Sequence, residues 1–259
     1  MTWAQQTHEP QKGDDGLLEI CVDNAEGLRA AIEGGADRIE LCSALSVGGL
    51  TPSVGFMQWA GRQPIKVSAM IRPRAGGFCF SGDEVDIMKR EIDAVRQAGL
   101  SGAVLGATAS NGALDSDVLA TLCRHAEGLD LTLHRAFDVV PDQRDALETA
   151  IGLGFTRILT SGGKATAVEG CERLAALIEQ SRGRISVMPG SGVRPETASL
   201  LLERLSVTEI HASCAVNGPE QDPHLVELHF AARQMLQTDT DTVRRLKRML
   251  SESRVRRSA

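Results

Sequence analysis

The sequence predicts a (β/α)8 barrel, a single α/β domain, on three observations. Short apolar runs alternate with amphipathic helical stretches at a period of roughly 30 residues. Eight such runs occur, each followed by a loop carrying Gly, Ser or Pro and then by a helical pattern. The chain has 259 residues, the usual span of a closed eightfold unit.

The expected strands are 17–22, 38–42, 65–71, 102–106, 131–134, 157–160, 185–189 and 209–213. Each is short and apolar, as a strand with a helix behind it requires. The expected helices are 24–33, about 53–61, 83–98, 115–127, 142–152, 166–181 and 195–204. Asp23-Asn24, Asp83 and Asp115 stand where N-caps stand, and Pro195 fits a first helical turn. Gly35, Gly99, Gly128, Gly154 and Gly183 follow helix ends, where a left-handed residue is needed. An open doubly wound sheet is the rival. It needs Gly-x-Gly-x-x-Gly after the first strand, and Val22-Asp23-Asn24-Ala25 is not that turn.

Beyond Cys214 the pattern loosens. Leu225, Leu228, Phe230, Ala231 and Met235 predict one helix over 224–237. Val243, Leu246 and Leu250 form one stripe of a second, with Arg244, Arg245, Lys247 and Arg248 largely opposite, as on a solvated terminal helix. The chain thus divides into a disordered lead-in at 1–16, the barrel at 17–237 and a C-terminal helix with a basic tail at 238–259. These boundaries are expectations.

Composition narrows the function. Apolar residues make up 42% and charged residues 24%, values of a globular protein. Aromatic content is 3% with no Tyr, which weakens any reading built on base or sugar stacking. A net charge of −6 argues against nucleic acid as a partner. The first sixteen residues lack the apolar core of a secretory signal, and no run of about 18 apolar residues exists to span a membrane. The six cysteines are scattered and none forms Cys-x-x-Cys, so they read as free thiols in a reducing cytoplasm.

Residues two apart in a strand share a face. If the apolar alternate faces outward to the helices, the lumen receives the rest. Leu18, Ile20 and Val22 then face out, leaving Glu19 and Cys21 inside. Ile39 and Leu41 face out, leaving Glu40 and Cys42 inside. The third strand sends Ser68, Met70 and Arg72 inward, the fifth Thr132 and His134, the seventh Ser186 and Met188, the eighth His211 and Ser213. The fourth and sixth stay ambiguous. Any one polar lumen residue has a plain explanation: a hydrogen-bonded core His, a structural ion pair, a Cys as small apolar filler. Their convergence points to a site at the C-terminal ends of the strands.

The loops over that end carry further candidates. Arg72 and Arg74 flank Pro73, in the geometry to grip a carboxylate or phosphate. Asp138 closes Arg135-Ala136-Phe137-Asp138 after strand five. Ser161-Gly162-Gly163 follows strand six and Gly190-Ser191-Gly192 strand seven. With Ser213, these are the expected anion cradle.

Six connected segments make the chain resemble the CutC family from about Leu18 to Cys214. They are 19–23, 34–43, 70–74, 134–138, 159–163 and 187–192, among them Asp37-Arg38-Ile39-Glu40-Leu41-Cys42-Ser43 and His134-Arg135-Ala136-Phe137-Asp138. The resemblance implies a cytoplasmic TIM barrel, a homo-oligomer with a dimer favoured, and a role in copper homeostasis, with Cys21 and Cys42 as Cu(I) ligands. Gly190-Ser191-Gly192 departs from the three glycines common in the family, a small change that leaves the loop mostly free. Soft thiolates on adjacent strands suit Cu(I). The alternative is an enzyme acting on a small anionic or phosphorylated metabolite. There Glu19, Glu40, His134, His211 and Asp138 are the catalytic candidates and Arg72 the anion clamp. A third reading is a non-catalytic scaffold whose charges hold the lumen together.

Overall fold

The computed structural model describes residues 16–258. Eight parallel strands form the central sheet: β1 Leu17–Val22, β2 Arg38–Leu41, β3 Lys66–Met70, β4 Gly102–Leu105, β5 Asp130–Leu133, β6 Arg157–Thr160, β7 Ser186–Pro189 and β8 Glu209–Ala212. Their order is β7-β6-β5-β4-β3-β2-β1-β8, so β8 returns to pair with β1. β7 and β8 stand side by side without a hydrogen-bonded ladder between their described residues, so the barrel is nearly closed. All eight strands coincide with the expected runs to within one or two residues.

The intervening helices are α1 Ala25–Gly34, α2 Val54–Ala60, α3 Gly82–Gln97, α4 Ser116–His125, α5 Gln143–Gly152, α6 Cys171–Ser181 and α7 Pro195–Arg204. Local chemistry sets their ends. Asn24 accepts the Gly27 N–H at 2.8 Å to open α1, and Gly35 closes it at φ 90°. Ser81 and Glu84 form a reciprocal capping box, so Ser81 is the N-cap and α3 begins at Gly82 rather than at Asp83. The helix expected from 166 begins only at Cys171. Thr166 and Glu169 satisfy each other's backbone N–H in a preceding turn.

The parity reading holds for every residue it sent outward. Leu18, Ile20, Val22, Ile39, Leu41, Val67, Ala69, Ile71, Leu131, Leu133, Ile185, Val187, Ile210 and Ala212 belong to one core between sheet and helices. Each such buried side chain contributes about 1.5–3 kcal/mol. Cys42, Met70 and Val104 form a separate, small apolar group inside the barrel. Strand four, ambiguous in sequence, sends Ala103 and Leu105 outward and Val104 inward. Strand six sends Ile158 outward.

The region after β8 differs from expectation. A single helix over 224–237 does not form. The chain makes β9 Ala215–Glu220, a short helix α8 Pro223–Glu227, and β10 Gln234–Thr238, which pairs antiparallel with β9. The arm leaves Leu225, Leu228, Phe230, Met235 and Leu236 exposed. Apolar spacing does not distinguish the two, because Leu225 on the short helix α8 and Met235 on β10 fall by chance on one helical stripe. The eighth helical layer comes instead from α9 Thr240–Ser258, which packs on α1, α7 and β1. Val243, Leu246 and Leu250 are fully buried there. Gly34 makes this approach possible, since a Cβ on it would lie 2.5 Å from Val243 Cβ. The expected disorder at 1–16 falls almost wholly outside the described residues. Among those residues no helix is long and apolar enough to cross a membrane.

Candidate functional site

The lumen is built in two storeys. In the lower one, Glu19 is fully buried and sits between two cations. Arg38 Nε donates to Glu19 Oε2, and Arg38 Nη2 to Glu209 Oε2. Arg157 Nε also donates to Glu209, at 3.1 Å, and its Nη1 to Asp130 Oδ2 at 2.7 Å. The other Glu19 oxygen lies 2.8 Å from His211 Nδ1. Burial pushes the Glu19 carboxyl up, but Arg38 and His211 outweigh it and hold the group well below the ordinary carboxylate range. A chain of alternating charges thus plugs the barrel floor. Arg38, Arg157, Glu209 and Asp130 were not recognised in the sequence as lumen residues. All four begin strands. Arg38, Asp130 and Glu209 share the face of Glu40, Thr132 and His211, so parity carried a signal for them, while strand six was ambiguous.

The upper storey is a cavity of about 300 Å³ at the C-terminal ends of the strands. Cys21, Glu40, Arg72, His134, Ser191, Gly192, His211 and Ser213 of the expected set line it. Strand register decides which of them meet. Cys21 is level with Glu40, not with Cys42, and Glu19 is level with His211. The Cys21 sulfur, a carboxyl oxygen of Glu40 and a ring nitrogen of His211 lie within 4.8 Å of one another. Two metal–ligand bonds of about 2.3 Å span that distance. Glu19 holds His211 Nδ1, which turns Nε2 toward Glu40 Oε2 at 3.8 Å. A carboxylate behind an imidazole in this way orients a metal-binding histidine.

Cys42 is fully buried beside this trio rather than within it, its Sγ 3.6 Å from Glu40 Oε2. Burial, then Glu40 and Cys21, push its thiol well up. Burial also lowers the tendency of His211 to hold a proton, but Glu40, Cys21 and Glu19 outweigh it and raise the group. Glu40 is raised by burial and by Glu19, with His211 opposing.

On the opposite wall, His134 Nδ1 accepts the Ala136 N–H at 3.1 Å. Burial and the Arg72 charge drop its pKa to about 3, so the ring is neutral with its proton on Nε2. Arg72 Nη1 donates to the carbonyls of Val47 and Gly49 at 2.8 and 3.0 Å, and Nη2 to Gly76 at 2.8 Å. Phe78 lies 5.0 Å from both the guanidinium and the imidazole. Gly190 sits just below the rim, where a Cβ would lie 2.4 Å from Leu159 Cδ1.

Besides Glu19, Cys42 and Gly190, four further expected residues do not line the cavity: Asp138, Ser161, Gly162 and Arg74. Asp138 accepts from the Ser161 and Gly163 N–H groups at 3.1 and 3.0 Å and from Arg135 Nε at 2.7 Å. It therefore staples the loop after β6 to the turn after β5, and Ser161 and Gly162 are part of that staple. Ser161 Oγ is further used by Arg135 and Lys164. Arg74 is turned away to Glu84 and to the Cys79 carbonyl, over the Phe80 ring. In their place Arg135 and Arg194 line the mouth. Their only sequence signal was adjacency to His134 and to the Gly190-Ser191-Gly192 loop.

A nearly closed parallel barrel with a polar cavity at its C-terminal mouth defines a TIM-barrel protein. The chain belongs to the CutC family, whose model matches residues 16–216. A CutC family protein of Agrobacterium fabrum is 57% identical over 237 residues, covering 91% of this chain and 94% of that protein. One from Caulobacter vibrioides is 56% identical over 207 residues, covering 80% and 84%. A solved structure of CutC from Streptococcus agalactiae, described as a copper homeostasis protein, has 34% identity and a TM-score of 0.73. It covers 76% of this chain and 98% of that one. Thiamine phosphate pyrophosphorylase from Pyrococcus furiosus, at 16% identity and a TM-score of 0.57 over 93% and 97% of the two chains, shares the fold alone.

Proposed function

We propose that this chain serves copper homeostasis by carrying Cu(I) as cargo at the barrel mouth, with Cys21 as principal ligand and His211 as the second. The convergence of Cys21, His211 and Glu40 within 4.8 Å carries the reading. Thiolate and imidazole are ligands Cu(I) accepts, while the carboxylate is the hard member of the set. Cys42 supplies a further thiolate from the next position along β2. It must lose a proton that its surroundings favour, so Cys21 binds first.

Anaerobic Cu(I) titration against a competing chelator tests this. Cys21→Ser is expected to weaken binding by at least about 100-fold and Cys42→Ser by less. Unchanged affinity in the double variant removes the thiolate site. Because ligand protons are displaced, affinity is expected to rise with pH.

We place the activity in the cytoplasm, consistent with six unpaired cysteines. Recovery of the chain in an oxidising compartment would overturn that placement. We further propose a homodimer, supported by the apolar side chains exposed on the β9–α8–β10 arm, Phe230 foremost at 79% exposure. Sedimentation equilibrium is expected to show a dimer that Phe230→Glu weakens; a monomeric wild type would refute it.

A further inference from the structure

We infer that the mouth cavity also binds a small 2-hydroxy or 2-oxo acid, its carboxylate on the wall opposite Cys21, at a site that shares Glu40 with the metal trio but needs no copper. Three buried polar atoms on residues that line this cavity have no hydrogen-bond partner among the described residues: His134 Nε2, Arg72 Nε and Glu40 Oε1. Their side chains are 3%, 5% and 3% exposed, and all three residues line the cavity. A buried polar atom left unpaired costs about 1–3 kcal/mol, so three on one small cavity mark a place where a ligand supplies the partners.

The chemistry of the three atoms defines that ligand. His134 is fixed as a donor: its Nδ1 is taken by the Ala136 N–H, leaving Nε2–H as the only group it can offer. Arg72 Nε–H is likewise only a donor, and loop carbonyls around its terminal nitrogens hold the guanidinium plane in place. Phe78, packed on both, keeps the two donors on one wall. Two N–H groups, one of them cationic, suit an oxyanion. Glu40 Oε1, from β2 beside the strand that leads into Arg72, meets a hydroxyl or a second oxygen of the same molecule.

Arg135 and Arg194 at the rim add positive charge, which favours entry of an anion. A space of about 300 Å³ admits a ligand of roughly ten non-hydrogen atoms. Among the described residues no lysine lines the cavity, so a ligand carbonyl is held there by hydrogen bonds and not as an imine.

The test uses the reduced full-length chain, stripped of metal with a chelator, and calorimetric titration with oxalate, tartronate and pyruvate. Acetate and inorganic phosphate serve as controls. Saturable binding of at least one oxyacid below about 10 mM is expected, with about tenfold or greater weakening in His134→Gln and in Arg72→Lys. Cys21→Ser is expected to bind as wild type does. Histidine-selective NMR of the wild type supplies a readout that needs no variant: the His134 Nε2–H resonance shifts on saturation. No binding of any oxyacid, binding of phosphate or acetate alone, an unmoved His134 resonance, or equal affinity in both variants would each overturn the proposal. Loss of oxyacid binding in Cys21→Ser would also overturn its placement on the wall opposite Cys21. Because the protein is metal-free throughout, failure here leaves the copper reading standing, and failure of the copper titration leaves this one.

Discussion

Arg38→Met is expected to destabilise the barrel by about 3–5 kcal/mol, the usual cost of leaving a buried charge without its partner. Arg38 is 3% exposed and bridges Glu19, fully buried, to Glu209. Removing it leaves Glu19 with His211 alone on one oxygen and nothing charged on the other. Methionine fills similar space, so the loss is electrostatic rather than a cavity effect. Urea unfolding should show a lower midpoint at an unchanged slope. The double variant Arg38→Met with Glu19→Gln should recover a good part of the loss, because the stranded carboxylate is gone. A single variant within about 1 kcal/mol of wild type would show that the floor network is incidental to stability.

The second large effect is acid sensitivity from His134. Its pKa falls from an ordinary 6.5 to about 3 in the folded chain. The unfolded chain therefore binds a proton that the folded chain refuses between those two values. Stability from this group is complete above pH 6.5 and is lost as pH falls toward 3. The slope is about 1.4 kcal/mol per pH unit, or roughly 2 kcal/mol by pH 5. Glu40 works in the opposite sense, since its raised pKa makes its contribution greatest in acid. The informative quantity is thus the difference between wild type and His134→Gln. Their stability gap should shrink, or turn in favour of the variant, as pH drops from 7 to 5. Parallel curves over that range would mean that His134 takes up its proton in the folded protein.

Much of the site was legible because strand parity is local. Once Ile20 and Leu41 are assigned to the helix side, Glu19, Cys21, Glu40 and Cys42 must point inward, and so must His134 and His211 from their own strands. Local chemistry also exposed most helix starts, as at Asn24, Asp115 and Pro195. The loop residues fared worse. Asp138 and Arg74 have the right chemistry for a site, yet each is consumed by a local structural task, stapling a loop in one case and pairing with Glu84 in the other. A side chain in a loop carries no parity to say where it points. Arg135 and Arg194 reach the mouth for reasons equally invisible in one dimension.

The amino-acid order by itself determined the barrel, its eight strands and the polar lining of its lumen, since each rests on spacing within a single segment. Tertiary structure alone decided how those linings meet. Glu19 finds Arg38 across 19 residues and His211 across 192. The stagger of β1 against β2 sets Cys21 beside Glu40 and leaves Cys42 one step beyond. Register depends on how neighbouring strands tilt and close around the barrel. No single strand encodes that, so the change from paired cysteines to a mixed Cys–Glu–His cluster had to come from the folded molecule.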